Sequence, residues 1–316
     1  MGVVNVKIIA VKIIASSFLE FWTMSLTEFN HEIAEIRDDR VRGASELARR
    51  CLMILAQAAR EQVAEHPTEL RERLLWLSRN LAETRPSMTP IRNLLRRWKD
   101  AFIIDADLDL AATRERAAEA AETLIAASRQ AVVDCATHAA HWLGAGRTVM
   151  THSYSSTVLA VCRLLRNQGL RMIVTESRPL AEGRRLAEQL AAWGVPTLYI
   201  TDAQMGLFVA QADTVLVGAD SVLADGSVVN KVGTYPLALV AREQGVPFQV
   251  CCESFKQRAA SDPPPELEEM APAELGVPGW PGVTVRNVYF DITPARLVTA
   301  WIDETGTSGS FSSSIL

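Results

Sequence analysis

From Ser25 to about Gln130, apolar residues recur at every third or fourth position. The stretches ELARRCLMILAQAARE and RERAAEAAETLIAASRQAVV show this most clearly, and each predicts an amphipathic helix with one face turned to a core. Strand-like runs are nearly absent there. After about residue 145 the texture changes. Short apolar runs (RTVMTHS, RMIVTES, PTLYITD, TVLVGAD, FQVCCES) alternate with helical segments such as SSTVLAVCRLLRN and AEGRRLAEQLAAWG. This alternation predicts a parallel, doubly wound sheet whose strands end in polar residues along one rim.

The chain therefore reads as α/β: an N-terminal helical domain over residues 24–144, followed by a mostly parallel, Rossmann-like sheet domain over 145–316 that carries the ligand site. The Pro-rich SDPPPELEEMAPAELGVPGWPG is a loop before a last strand-like run, NVYFDITP. The tail GTSGSFSSSIL is small and polar and is expected to fray. Residues 1–23 contain the direct repeat VKIIAVKIIA, cut by Lys7 and Lys12. The repeat is too short to span a membrane, and no small-residue cleavage site follows it. Met24 then opens MSLTEFNHEIAEIRDDR, so the first 23 residues read as a non-native or disordered leader outside the fold.

A length of 316 residues with 48% hydrophobic content suffices for a large core. A net charge of −5 argues against nonspecific nucleic-acid binding while leaving room for a local phosphate site. The five cysteines, Cys51, Cys135, Cys162, Cys251 and Cys252, show no CxxC spacing and read as reduced thiols of a cytoplasmic protein. The histidines form no HExxH, so no metal is expected. No GxGxxG follows a strand, and no dinucleotide cofactor is expected either.

The chemistry concentrates in Val215–Leu237, VLVGADSVLADGSVVNKVGTYPL. The strand Val215-Leu216-Val217 delivers Asp220 to its C-terminal end, the rim where open α/β sheets bind ligands. Asp225-Gly226 is a hairpin signal, and Asn230-Lys231 follows it. An acid, an amide and an ammonium thus return to one strand end, although a strand, a hairpin and surface polar residues would read the same way. Two interruptions in the helical region suit an anion. Arg42-Gly43-Ala44-Ser45 precedes a helix, where exposed amides attract phosphate, and in Thr84-Arg85-Pro86 the proline holds Arg85 out of helical conformation. A plain helix start and a plain linker are the alternatives. Ser153, Ser155 and Ser156 lead into a helix, a further phosphate cradle. Glu176-Ser177-Arg178-Pro179 and Glu253-Ser254-Phe255-Lys256 end two other strands.

GADSVLADGSVVNKVGT resembles the signature GAD…NGxxxNKxGT of the superfamily that joins the alpha, beta and delta subunits of initiation factor 2B to two sugar-phosphate isomerases, with Asp225 where Asn is common. Those isomerases act on methylthioribose 1-phosphate and ribose 1,5-bisphosphate. The resemblance runs from about Arg42 to Thr293 and includes the RGA and TRP motifs, with Glu176-Ser177-Arg178-Pro179 and Gly183 similar to the family's ETRPxxxG. It implies a pocket for a sugar phosphate or nucleotide monophosphate, built by Arg42, Gly43, Ala44, Ser45, Arg85, Ser155, Ser156, Arg178, Asn230, Lys231 and Lys256. It implies Asp220 as the catalytic acid and places Ser153 where the isomerases have a catalytic Cys. It also implies at least a homodimer, with no direct nucleic-acid or membrane partner. A serine hydroxyl is far less acidic than a thiol and a poor base without a strong partner. His152 beside it is expected to point to the opposite face. THSYS and ESFK resemble the initiation factor alpha subunit, whereas RGAS, TRPS and ESRP lean toward the isomerases. A sugar-phosphate-binding isomerase homologue and a non-catalytic regulatory subunit are thus the two functional expectations.

Overall fold

The computed structural model describes residues 29–103 and 108–309. The proposed leader over residues 1–23 lies outside the described residues. Five helices open the described chain: α1 (Asn30–Asp38), α2 (Ala44–Glu61), α3 (Pro67–Glu83), α4 (Thr89–Ile103) and α5 (Leu110–Leu143). Their apolar stripes meet in one core around Leu47, Leu52, Leu55, Leu74, Leu77 and Trp98. Trp98 stacks on Phe102 at 5.0 Å and donates its indole N–H to the Ala117 carbonyl. On α5, Ala117, Ala118 and Ala121 supply the small surface that lets α2 lie close against it.

The sheet follows. Its parallel strands are β1 (Thr148–Thr151), β2 (Arg171–Thr175), β3 (Thr197–Ile200), β4 (Thr214–Val217), β7 (Phe248–Cys251) and β9 (Ala300–Asp303), with β10 (Gly306–Ser308) antiparallel at the edge. The order is β10-β9-β7-β4-β1-β2-β3. Helices α6 (Ser156–Leu165), α7 (Glu182–Ala192), the single turn α8 (Met205–Phe208) and α9 (Thr234–Glu243) make the connections. The expected mostly parallel, doubly wound sheet after a helical region is therefore present. The hairpin at Asp225-Gly226 is present too, as β5 (Ser221–Val222) and β6 (Val228–Lys231).

Three details differ from the sequence reading. NVYFDITP is a strand, β8 (Phe290–Thr293), but it pairs antiparallel with β6 in a separate three-stranded sheet. The strand β9 had not been singled out. The tail does not fray at its start: the Asp303 carboxylate accepts hydrogen bonds from the Thr305 and Gly306 amides, and Gly306 takes φ +144°, which turns the chain back as β10. Residues 310–316 lie outside the described residues.

The helices and the sheets share material. The C-terminal stretch of α5 (Cys135, Ala136, Ala139, Leu143) packs on the parallel sheet with Val149, Val174 and Leu216. In turn Val229, Phe255, Tyr289 and Phe290 join the helical core. A polar clamp tightens the junction: Asn93 on α4 donates to the carbonyls of Phe255 at 2.8 Å and Gln257 at 2.7 Å. Asn93→Leu removes the hydrogen bonds to both carbonyls, at about 1–3 kcal/mol for each. The expected outcome is a fall of about 2–6 kcal/mol in unfolding free energy, measured by denaturant titration. An unchanged midpoint would show that the clamp does not hold the junction.

Candidate active site

Sheet order decides where a ligand sits. The strands run outward from β1 in both directions, so the connections part between β1 and β4, and the crevice opens beyond their carboxyl ends. The two ends carry Thr151-His152-Ser153 and Gly218-Ala219-Asp220. A cavity of about 270 Å³ lies over them. Its walls combine Arg42, Gly43 and Arg85 from the helical region, Ser153, Glu182 and Asp220 from the parallel sheet, and Lys231 from the small sheet.

One chain of contacts crosses this cavity. The Ser153 amide donates to Ser177 Oγ at 2.7 Å, and the Ser153 hydroxyl donates to Glu182 Oε2 at 2.5 Å. Glu182 Oε1 is 3.0 Å from Lys231 Nζ. The ammonium also sits 4.2 Å from the centroid of the Tyr289 ring and 5.5 Å from that of Phe290. Lys231 is only 4% exposed, so one carboxylate and two aromatic faces replace its water.

The local backbone explains how Glu182 reaches this position. A Cβ at Gly183 would lie 1.7 Å from the Thr175 carbonyl oxygen, so only glycine lets α7 start hard against the end of β2. Gly218 likewise faces Ser155, whose Oγ would be 2.5 Å from an added Cβ. Ser153, Ser177 and Ala181 take φ of +69°, +63° and +53°. Left-handed backbone at a non-glycine residue costs of order 1–3 kcal/mol. All three such residues in the described chain belong to the segments that bring Ser153 to Glu182.

Burial pushes the Asp220 carboxyl up to about 6, against the pull of Lys256, Lys231 and Arg85, while Glu182 raises it further. Asp220 is thus poised to change protonation near neutral pH. His152 is unsuited to that task. Its Nδ1 is 2.7 Å from Thr175 Oγ1, its Nε2 is 2.8 Å from the Val232 carbonyl, and burial lowers its affinity for a second proton. It faces the interior, just past the end of β1, where the left-handed backbone of Ser153 turns the chain.

The cavity mouth is basic. Arg40, Arg42, Arg85, Arg184 and Arg185 all line it. The Asp39 carboxylate shapes the RGAS loop by accepting from the amides of Val41 and Arg42, each at 2.7 Å. Arg85 is 3% exposed and spans two anchors, Glu268 at 2.8 Å and the Asp39 carbonyl at 3.0 Å. Glu268 and the Arg40 partner Glu274 come from the Pro-rich loop, which thereby holds the arginines in place. Arg185 lies 4.1 Å over the Tyr154 ring and donates to the Val41 carbonyl. Among the described residues, the exposed Arg184 side chain makes no ion pair.

Of the residues nominated from sequence, Arg42, Gly43, Arg85, Ser153, Asp220 and Lys231 meet at the cavity. The others lie beside or behind it. Ala44 is packed in the helical core. Lys256 meets Glu253, itself 1% exposed, with its Nζ 3.4 Å from the carboxylate, while the buried Ser45 hydroxyl has no hydrogen-bond partner among the described residues. Burial opposes charge on both partners, but their mutual attraction outweighs it: Glu253 is held low and Lys256 high. Ser155 caps α6 by accepting from the Val158 amide, and Ser156 is that helix's first residue. Asn230 donates to Thr234 Oγ1. Arg178 reaches outward to the Leu275 carbonyl. Sequence reasoning missed Glu182, Arg184, Arg185 and Tyr289. The signal for the first three was Glu182-Gly183-Arg184-Arg185 at a helix start behind a strand end.

With this geometry in place, the comparisons give the class. The Initiation factor 2 subunit family matches residues 40–309, and the chain belongs to it. Its relatives carry two kinds of name. An eIF-2B subunit 2-like protein of Pyrococcus furiosus is 35% identical, covering 87% of this chain and 94% of its own length. The ribose 1,5-bisphosphate isomerase of the same organism is 33% identical, over 87% and 89%. The crystal structure of the Pyrococcus horikoshii translation initiation factor eIF-2B superposes with a TM-score of 0.76 at 32% identity, covering 88% of this chain and 95% of that one.

The raised Asp220 carboxyl makes stability depend on pH. An unfolded Asp titrates near 3.9, so between about pH 4 and pH 6 the native state holds the proton that the unfolded state loses, and stability falls as pH rises through that window. Asp291, also raised to about 6 by burial, acts in the same direction. Asp220→Asn is therefore expected to gain stability relative to the parent as pH rises from 4 to 7. Denaturant titrations at several pH values measure this, and a difference that stays constant with pH would contradict it.

Proposed function

We propose that this cavity binds a phosphorylated sugar and that the chain works as an isomerase of the aldose 1-phosphate to ketose type, with ribose 1,5-bisphosphate as the reference substrate. The observation that carries the reading is the meeting of Asp220, Lys231 and the arginine-lined mouth at the topological switch point. A volume of about 270 Å³ is at the lower end for small-molecule sites and suits a pentose phosphate. Arginines at the mouth suit phosphate oxygens, which guanidinium groups grip in pairs. Deeper in, Asp220 is the acid. In a 1-phosphorylated aldose the anomeric oxygen is blocked, so the ring oxygen must receive a proton before the ring opens. A carboxyl that holds its proton up to about pH 6 suits that step. No nucleotide cofactor enters this scheme. The protein is proposed to act in the cytoplasm as a homodimer.

A second reading is favoured by one observation, the hydroxyl at Ser153 in place of the thiol of the isomerases. In that reading the pocket senses a sugar phosphate or nucleotide monophosphate and tunes assembly, as a regulatory subunit would. Both readings need a ligand, and binding is the first test. A ligand present at one hundred times its dissociation constant adds about 2.7 kcal/mol to stability. Thermal unfolding against sugar 1-phosphates, bisphosphates and nucleotide monophosphates is expected to show one clear shift, lost in Lys231→Ala. No shift with any compound in a folded sample would reject both readings.

A further inference from the structure

The isomerisation requires a base opposite Asp220, and the expected thiol is absent. Ser153 does not replace it, because its hydroxyl proton is already directed at Glu182 Oε2 at 2.5 Å. His152 does not replace it either, since both ring nitrogens are engaged in the interior. Among the described residues the remaining carboxylates on the cavity wall are Asp39, Glu182 and Glu188. Asp39 is bound to the RGAS amides, and Glu188 lies two turns along α7 from the strand ends. Glu182 alone stands at the strand ends, between Ser153 and Lys231. Three left-handed residues and a glycine that tolerates no Cβ fix it there. Strained backbone collected at one side chain is a mark of function.

Resting on the sugar-phosphate reading above, we propose that Glu182 is the proton-accepting catalytic residue of this pocket, paired with Asp220 on the other side of the sugar. The protonated Asp220 gives its proton to the ring oxygen, and the C1–ring oxygen bond breaks. The Glu182 carboxylate takes the proton from C2, leaving an enol phosphate between C1 and C2. Protonated Glu182 returns that proton to C1 while the C2 hydroxyl proton passes to Asp220. C2 is oxidised and C1 reduced within one molecule, and both carboxyl groups end as they began. Ser153 orients Glu182, and an incoming phosphate that draws on Lys231 loosens the ion pair as the sugar seats.

The test uses the full chain, ribose 1,5-bisphosphate, calorimetry for binding and NMR for conversion. A positioned base contributes about 10²–10⁴-fold. Glu182→Gln is expected to lose that much of kcat while its Kd stays within about tenfold of the parent. Glu182→Asp is expected to recover part of the rate, and formate to restore part of the activity of Glu182→Ala, neither of which a structural role predicts. Ser153→Ala is expected to lose only about tenfold, because orientation is lost but the base remains. A Glu182→Gln enzyme with parental kcat overturns the proposal. A parent that binds the sugar without converting it also overturns it, but leaves the binding reading standing. A parent that does not bind removes both.

Discussion

The site depends on one constraint: a lysine ammonium withdrawn from water must have a negative partner. Lys231 arrives from the small sheet, Glu182 from the first turn of α7, and they meet at 3.0 Å. Lys231 is buried and Glu182 is part-exposed at the cavity, so Glu182 is the counter-charge that lets the ammonium sit away from water. The pair therefore ties two separately built parts of the molecule to one relative position. Ser153, just beyond β1, touches the same Glu182, and the rings of Tyr289 and Phe290 flank the same ammonium. Gly183 makes it possible, since any side chain there would push Glu182 off the sheet edge.

Around that pair the architecture distributes its labour. The parallel sheet supplies strand ends, and its order places two of them, β1 and β4, on either side of a crevice. The helical region supplies Arg40, Arg42 and Arg85, α7 supplies Arg184 and Arg185, and the Pro-rich loop supplies the carboxylates that hold Arg40 and Arg85. Away from the cavity wall, Glu253 and Lys256 form a second, buried ion pair. Lys256 remains near enough to lower Asp220, so it acts on the acid through its field.

Much of this was legible in the residues. Five parallel strands were readable as short apolar runs ending in polar residues, and the hairpin as Asp-Gly between β-branched neighbours. Other features depend on pairings that sequence does not encode locally. NVYFDITP looked like a strand and is one, but its partner β6 lies about sixty residues earlier and belongs to another sheet. Lys256 had the right chemistry for phosphate, yet it found a partner in Glu253. Glu182 was passed over because an acid at a helix start is usually a surface feature favoured by the helix dipole. Only the approach of α7 to Thr175 shows that it faces inward.

The most direct measurement is a crystal structure with an unreactive acyclic analogue, ribitol 1,5-bisphosphate. The polyol is expected across the ends of β1 and β4, with carbons 1 and 2 between the carboxylates of Glu182 and Asp220. One phosphate would lie against Lys231 and the other among the mouth arginines. The analogue seated instead in the groove beyond Arg85, lined by Arg79, Arg92 and Glu266, would contradict it.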